Sequence, residues 1–243
     1  DAAGNLVGRK EGTDPNASVV MTGSHIDTVY GGGMFDGRLG VIGGIEAVQA
    51  MNEAGIQTKH PIEVIAYRDE EGARFVGSYS GAGHLTGGYD HGIMDHADKD
   101  GKTVRECLKE CGIDPDHVDD ARLPEGYAKA HLELHIEQGA VLESKGLSVG
   151  VVTGICCQIR GEVTIKGTAS HAGTTPMDLR KDALAAAAEC MLEIEDEAKK
   201  YPQAVATVGK ITAFPGGVNV VPGEVKFSID MRNQKAALRD AMF

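Results

Sequence analysis

The run Gly23-Ser-His-Ile-Asp-Thr28, followed by Asp36 and then by Asp69-Glu-Glu-Gly72, constrains this chain more than any other feature. It sets a His, a lone Asp and a Glu pair each at the end of an expected strand or in the loop after it. Parallel α/β sheets collect functional groups at such strand ends. Hard carboxylates and neutral imidazoles suit zinc, manganese or cobalt. Two ions ~3.5–4 Å apart can activate one water and polarise one carbonyl, so this donor set is of the kind that two-metal hydrolytic centres use.

The surrounding pattern supports an α/β fold. Ser18 to Thr22 is a short apolar run of the kind that forms a buried strand. Val41, Ile45 and Val48 recur at i, i+4 and i+7, which predicts a helix from Gly40 with a stop at Gly55. Ile62 to Tyr67 is a second β-rich run, so strand, helix and strand form a βαβ unit of a parallel sheet. Its carboxyl edge carries His25 and Glu70. Asp1 to Lys10 reads as a short strand or hairpin edge, and Leu132 to Ile136 as a strand carrying His135.

The character changes near Gly150. Glu162 to Gly167 alternates apolar and polar residues as a half-buried antiparallel strand does. Asp178 to Lys200 reads as an amphipathic helix with Leu184, Ala187, Met191, Ile194 and Ala198 inward. Ala204 to Ile211 and Val225 to Met231 read as two more strands, with a helix beginning near Lys235. The order β-α-β-β-α is a split βαβ (ferredoxin-like) arrangement, one strand short. The boundary between two domains, 1–148 and 149–243, is expected at 148–150.

Composition removes other classes. The formal net charge of −12 argues against a nucleic-acid partner, and the absence of Trp against a stacking platform for single strands. No apolar run approaches the ~20 residues of a membrane span, and no signal peptide is found. The chain begins at Asp1 and stops at Phe243 inside an expected helix, so a fragment of a longer protein is expected. The five cysteines form no disulfide framework, and an odd count fits a reducing, cytoplasmic compartment. Cys107 and Cys111, four apart on an expected helix, read as packing, with a redox or metal pair as the alternative.

Individual residues carry two readings each. His25 after a strand is either structural or a ligand, with Asp27 placed to hold its second nitrogen. Asp36, between glycines, is placed to bridge two ions. Adjacent Glu70 and Glu71 point opposite ways on an extended backbone. In a tight turn both approach one site, one as ligand and one as general base; the alternative is a solvated acidic turn. His131, Glu133, His135 and Glu137 alternate, which makes either a ligand ladder or an exposed polar face. Arg180 and Asp182 are expected to pair near the start of the long helix.

Several longer motifs occur in order: Gly23-Ser-His-Ile-Asp-Thr28, Asp69-Glu-Glu-Gly-Ala-Arg-Phe75, Glu133-Leu-His-Ile-Glu-Gln-Gly139, His171-Ala-Gly-Thr-Thr-Pro-Met177 and Asn219-Val-Val-Pro-Gly223. On these the chain resembles the ureido-hydrolysing branch of the di-metal aminoacylase and carboxypeptidase superfamily. That branch holds N-carbamoyl-L-amino acid hydrolases, allantoate amidohydrolases and β-ureidopropionases. The resemblance implies an α/β catalytic domain with an inserted lid and dimerisation domain, the C-terminal part of both missing here. It implies two divalent ions, zinc or manganese with cobalt or nickel as alternatives, held by His25, Asp36, Glu71 and His135. It makes Glu70 the general base and His171 the oxyanion donor, reaching from the lid toward the neighbouring subunit's site. Asn219 and Arg232 would grip a substrate carboxylate, with Gln138 and Arg160 as further contacts.

The family's fifth ligand, a His, would lie beyond Phe243. Ser80-Gly-Ala-Gly-His84 superficially resembles that last motif, but its place just after the Glu pair makes His84 a loop histidine. The implied substrate is a small ureido carboxylate. Pro215-Gly-Gly-Val-Asn219 and the Asp-Glu-Glu-Gly-Ala-Arg-Phe form favour an N-carbamoyl-L-amino acid, whereas Gln158-Ile-Arg160 leans toward allantoate. A dipeptidase is a more distant reading, and a non-catalytic dimerisation fragment is the rival from another class.

Overall fold

The computed structural model describes residues 1–75 and 79–243, and the chain divides into two compact units, Asp1–Gly146 and Leu147–Phe243. The first is built on strands β1 (Leu6–Lys10), β2 (Val19–His25), β3 (Ile62–Tyr67) and β4 (Ala128–Leu132), ordered β1-β3-β2-β4. β2 runs parallel to β3 and β4, while β1 is an antiparallel edge on β3. Val19, Met21 and Ile65 bury into one core with Ala3, Leu85 and Ala121. Helix α1 (Arg38–Glu53) makes the crossover and packs on β2 and β3. Its inward residues are Gly40, Val41 and Gly44, while Ile45 of the apolar repeat is exposed.

Helices α2 (Ser80–Thr86), α3 (Val104–Glu110) and α4 (Val141–Ser144) complete this unit. Thr103 and Glu106 close α3 with a capping box, each side chain bonded to the other residue's backbone N–H. Cys107 packs partly buried against a small core around Met94 and Leu108, Cys111 is exposed, and both thiols are free. The strand expected over Leu132 to Ile136 lies four residues earlier. β2 offers β4 only Val19–Thr22 as partners, so pairing ends at Leu132 and His135 falls in the segment beyond the strand.

The second unit contains β5 (Cys157–Lys166), β6 (Ser170–His171), α5 (Ala183–Lys199), β7 (Val205–Thr207), β8 (Ile211–Phe214), β9 (Val220–Val221), β10 (Glu224–Asn233) and α6 (Ala236–Met242). β10 is central and antiparallel to β5 on one side and to β7 and β8 on the other, which is the split βαβ order. The single strand expected over Ala204 to Ile211 is therefore two pieces on one neighbour. Val225, Phe227, Ile229 and Met231 alternate inward against Ala183 and Ala187 of α5 and Met242 of α6. The opposite sheet face carries Arg160, Asp230 and Arg232. The long helix starts later than expected, because Asp182 caps it by accepting from the Leu184 and Ala185 N–H groups. Asp178 sits instead in a short 3-10 turn, Met177–Leu179.

Gly23, two residues before His25, has φ 140°, and a Cβ there would run into the Ile65 carbonyl oxygen of β3. Gly23→Ala is expected to destabilise the first unit by about 2 kcal/mol or more, read by urea unfolding; an unchanged midpoint would contradict this account of the β2–β3 contact.

Candidate metal centre

Because β2, β3 and β4 are parallel, their carboxyl ends open on one side of the sheet. His25 is the last residue of β2, Glu70 and Glu71 follow β3 by three and four residues, and His135 follows β4 by three. Asp36 lies in the loop between β2 and α1. His25, Asp36 and His135 come together with one donor atom each inside 4.8 Å. The His25 and His135 Nε2 atoms are 3.3 Å apart, with Asp36 Oδ1 3.9 Å from the first and 3.5 Å from the second. Glu71 Oε1 is 3.7 Å from His25 Nε2. Three of the expected ligands therefore cluster, and Glu71 lies within reach of one of them.

The ring nitrogens reveal what this cluster suits. His25 Nδ1 lies 2.8 Å from the Asp27 carbonyl oxygen and His135 Nδ1 lies 2.8 Å from the Ile136 carbonyl oxygen. A carbonyl only accepts, so each Nδ1 carries a proton, and a ring in its neutral form aims an Nε2 lone pair at the other. Two lone pairs and a buried carboxylate facing one another repel unless a cation lies among them. The donor set thus fits a divalent metal, with the backbone carbonyls fixing both tautomers.

Asp36 is 1% exposed, and its two oxygens accept from Gln138 Nε2 at 2.9 Å and Thr28 Oγ1 at 3.1 Å. Gln138 thus contacts a candidate ligand. Gly37, at φ 71°, passes so close to the His25 ring that any Cβ would overlap it. Asp27 holds the second nitrogen of His25 as expected, with its carbonyl at 2.8 Å and its carboxylate at 3.6 Å from Nδ1, and it also does more. Its carbonyl orients His25, while its carboxylate oxygens accept the Glu70 N–H at 3.0 Å and the Glu71 N–H at 2.9 Å. Asp69, left-handed at φ 51°, turns the chain just before them.

Glu70 Oε2 is buried and accepts no hydrogen bond from the described residues. Burial pushes its carboxyl up to about 7; the Asp27, Glu133 and Glu71 charges add to this, and His25 opposes it. Such a group can take and return a proton near neutral pH.

The alternating His131 to Glu137 ladder is dispersed. His131 Nε2 meets the Tyr67 hydroxyl at 3.0 Å, Glu133 accepts from Ser24 Oγ, and Glu137 caps α4 by accepting from Val141 and Leu142 N–H. Only His135 joins the cluster. His84 is a fully buried residue of α2, not a loop histidine; its Nδ1 is 3.1 Å from Asp119 Oδ1, and its ring lies 4.0 Å from that of Tyr89.

In the second unit, β6 pairs with β9 and brings His171 beside Asn219, whose carbonyl accepts the Ala172 N–H at 2.9 Å. The Gly173 N–H donates to His171 Nδ1 at 3.1 Å, so the neutral ring keeps its proton on Nε2. Arg160 and Arg232 are joined by Asp230, which sequence reasoning missed. Arg232 donates through Nε and Nη2 at 2.7 and 2.9 Å, and Arg160 through Nε at 2.8 Å. The signal was present, since residues i and i+2 of a strand share a face. These residues line an open cavity of about 680 Å³ on the polar sheet face. The expected Arg180–Asp182 pair does not form, because Asp182 caps α5 and Arg180 bonds to carbonyls of the His171 loop.

A buried carboxylate between two imidazoles, at the carboxyl edge of a parallel sheet, defines an α/β protein with a group able to hold a metal ion. The chain belongs to the Peptidase family M20/M25/M40, whose model matches residues 15–234. It is 51% identical over its whole length to an N-carbamoyl-L-amino acid amidohydrolase of Geobacillus stearothermophilus, covering 59% of that protein. It is 39% identical over 96% of its length to an allantoate amidohydrolase of Bacillus subtilis, covering 57% of it. The crystal structure of a hydantoinase/carbamoylase family amidase from Burkholderia multivorans matches all of this chain at a TM-score of 0.89 and 38% identity, with 58% of that chain covered. The chain thus spans rather more than half the length of these relatives, within the hydantoinase/carbamoylase branch.

Two outcomes follow from this geometry. Asp27→Asn leaves one of the Glu70 and Glu71 amides facing an NH2 group, so manganese affinity measured by calorimetry is expected to fall ~10–100-fold; full affinity would remove Asp27 as an organiser. Arg232, then Arg160, hold Asp230 down to about 2. A depressed folded pKa gives stability that is complete above the unfolded value of about 4. It is lost as pH falls from there toward 2. Melting temperature against pH should show this acid step in the wild type and a shallower one in Asp230→Asn.

Proposed function

We propose that the protein is a metal-dependent amidohydrolase that cleaves the terminal ureido group of an N-carbamoyl-L-amino acid, giving the amino acid, ammonia and carbon dioxide. The observation that carries this reading is the cluster of His25 Nε2, His135 Nε2 and Asp36, with Glu71 3.7 Å from His25, near Glu70, whose Oε2 accepts no hydrogen bond from the described residues and whose carboxyl burial raises to about 7. Two divalent ions, zinc or manganese, held by His25, Asp36, Glu71 and His135 would supply Lewis acidity and a more acidic water. Glu70 takes a proton from the attacking water and returns it to the leaving nitrogen. His171, with its proton on Nε2, is suited to hydrogen-bond the developing oxyanion. Asn219, Gln138 and the Arg160–Asp230–Arg232 group are assigned to the substrate, with Arg232 toward its carboxylate.

In this reading 1–148 is the first part of the catalytic domain and 149–243 a lid through which two copies pair. No described helix is long and apolar enough to cross a membrane, and the free cysteines are compatible with a reducing cytoplasm. Allantoate is the second reading, favoured by Gln158-Ile-Arg160 on β5 and by relatives named for that substrate.

Ammonia release with manganese, comparing allantoate with a panel of N-carbamoyl-L-amino acids, tests both. Release from the carbamoyl panel is expected; release from allantoate alone would replace the first reading with the second, and none from either would overturn both. Glu70→Gln is expected to lower kcat by ~10²–10⁴-fold or more while manganese still binds; wild-type turnover would remove Glu70 as the base.

A further inference from the structure

The His171 loop is a compact turn built around one carbonyl. The His171 oxygen accepts from Thr174 N–H at 3.3 Å, Thr175 N–H at 3.1 Å and Thr175 Oγ1 at 2.8 Å. The middle of the turn, the Ala172–Gly173 segment that carries the N–H facing the ring, is held from outside it: on one side the Ala172 N–H donates to the Asn219 carbonyl at 2.9 Å. Half-buried Arg180 reaches back over it. Nη2 donates to the Ala172 carbonyl at 2.6 Å and Nε donates to the Thr175 carbonyl at 3.1 Å. One rigid, planar fork therefore spans the turn on both sides of Gly173. A guanidinium suits this because its donors are fixed relative to one another, whereas an ammonium is a single flexible point.

The consequence lies in the proton. An imidazole free in water exchanges its proton between two nitrogens, and the bond made by one nitrogen decides the other. Here Nδ1 accepts the Gly173 N–H at 3.1 Å, a bond that only the ring form with its proton on Nε2 can make, so the bond favours that form. If the turn opens, that selection is lost. We propose that Arg180 is a positioning residue that clamps the Ala172–Thr175 turn so that the Gly173 N–H holds His171 in its Nε2-protonated form. The inference deepens the assignment of His171 as oxyanion donor and rests on that reading for its catalytic meaning.

The test uses the full-length protein labelled with 15N in its histidine rings. Spectra are taken at about pH 8.5, well above the ~6.5 of an ordinary imidazole. His171→Gln identifies the His171 signals. The wild type is expected to show an unprotonated Nδ1 and a protonated Nε2 at His171. Arg180→Met is expected to shift these signals toward a mixture of tautomers, leave the other histidines in place, and lower kcat at least tenfold with a smaller change in KM. Arg180→Lys is expected to fall between the two, and it carries the test if the Met variant does not fold. A wild-type ring protonated on Nδ1, or variant spectra unchanged at His171, would overturn the proposal. The ring spectra need no substrate. Failure of ureido hydrolysis with the expected spectra would therefore sink the oxyanion role and leave the clamp standing.

Discussion

The carboxylate of Asp27 ties the ends of two strands together, and the site depends on that tie. Its carbonyl fixes the ring at the end of β2, and its oxygens receive the two amides that follow β3. Without such a link, adjacent glutamates after a strand would point to opposite sides. With it, and with the left-handed turn at Asp69, Glu71 comes within reach of His25 while Glu70 tucks its carboxyl into a buried place. The same residue thus sets both a candidate ligand and a candidate base.

Histidine roles here are set by the backbone. His25 and His135 each give the Nδ1 proton to a carbonyl, which leaves a lone pair on Nε2 for a cation. His171 receives an N–H at Nδ1, which leaves a proton on Nε2 for an acceptor. One side-chain type therefore serves as electron-pair donor in the first unit and as proton donor in the second. The difference lies in what the neighbouring peptide groups present.

Asp230 modifies the expected role of the second unit's arginines. A pair of guanidiniums on one sheet face repel one another, and a carboxylate between them removes that cost while holding both heads in place. If Arg160 and Arg232 meet a substrate carboxylate as proposed, Asp230 would lower the net positive charge there and leave them to orient it more than attract it.

How much of this was legible follows from the range of each interaction. The βαβ unit, the split βαβ and most residues of the cluster could be read, because periodicity and strand-end placement are local properties. The end of β4 could not, because its partner β2 decides where pairing stops. Nor could the bond from the Glu70 and Glu71 amides to Asp27, which joins residues about forty positions apart. The ladder from His131 to Glu137 had the right spacing for ligands, yet His131 and Glu133 found partners across the fold and Glu137 capped the helix that follows it. Sequence by itself determined which donors exist and at which strand ends they lie, since alternation and turns act over a few residues. Only the tertiary structure decided which nitrogen of each ring is bare, which carboxylate is buried and which arginine is clamped. Those depend on peptide groups and charges that the folded chain brings in from elsewhere.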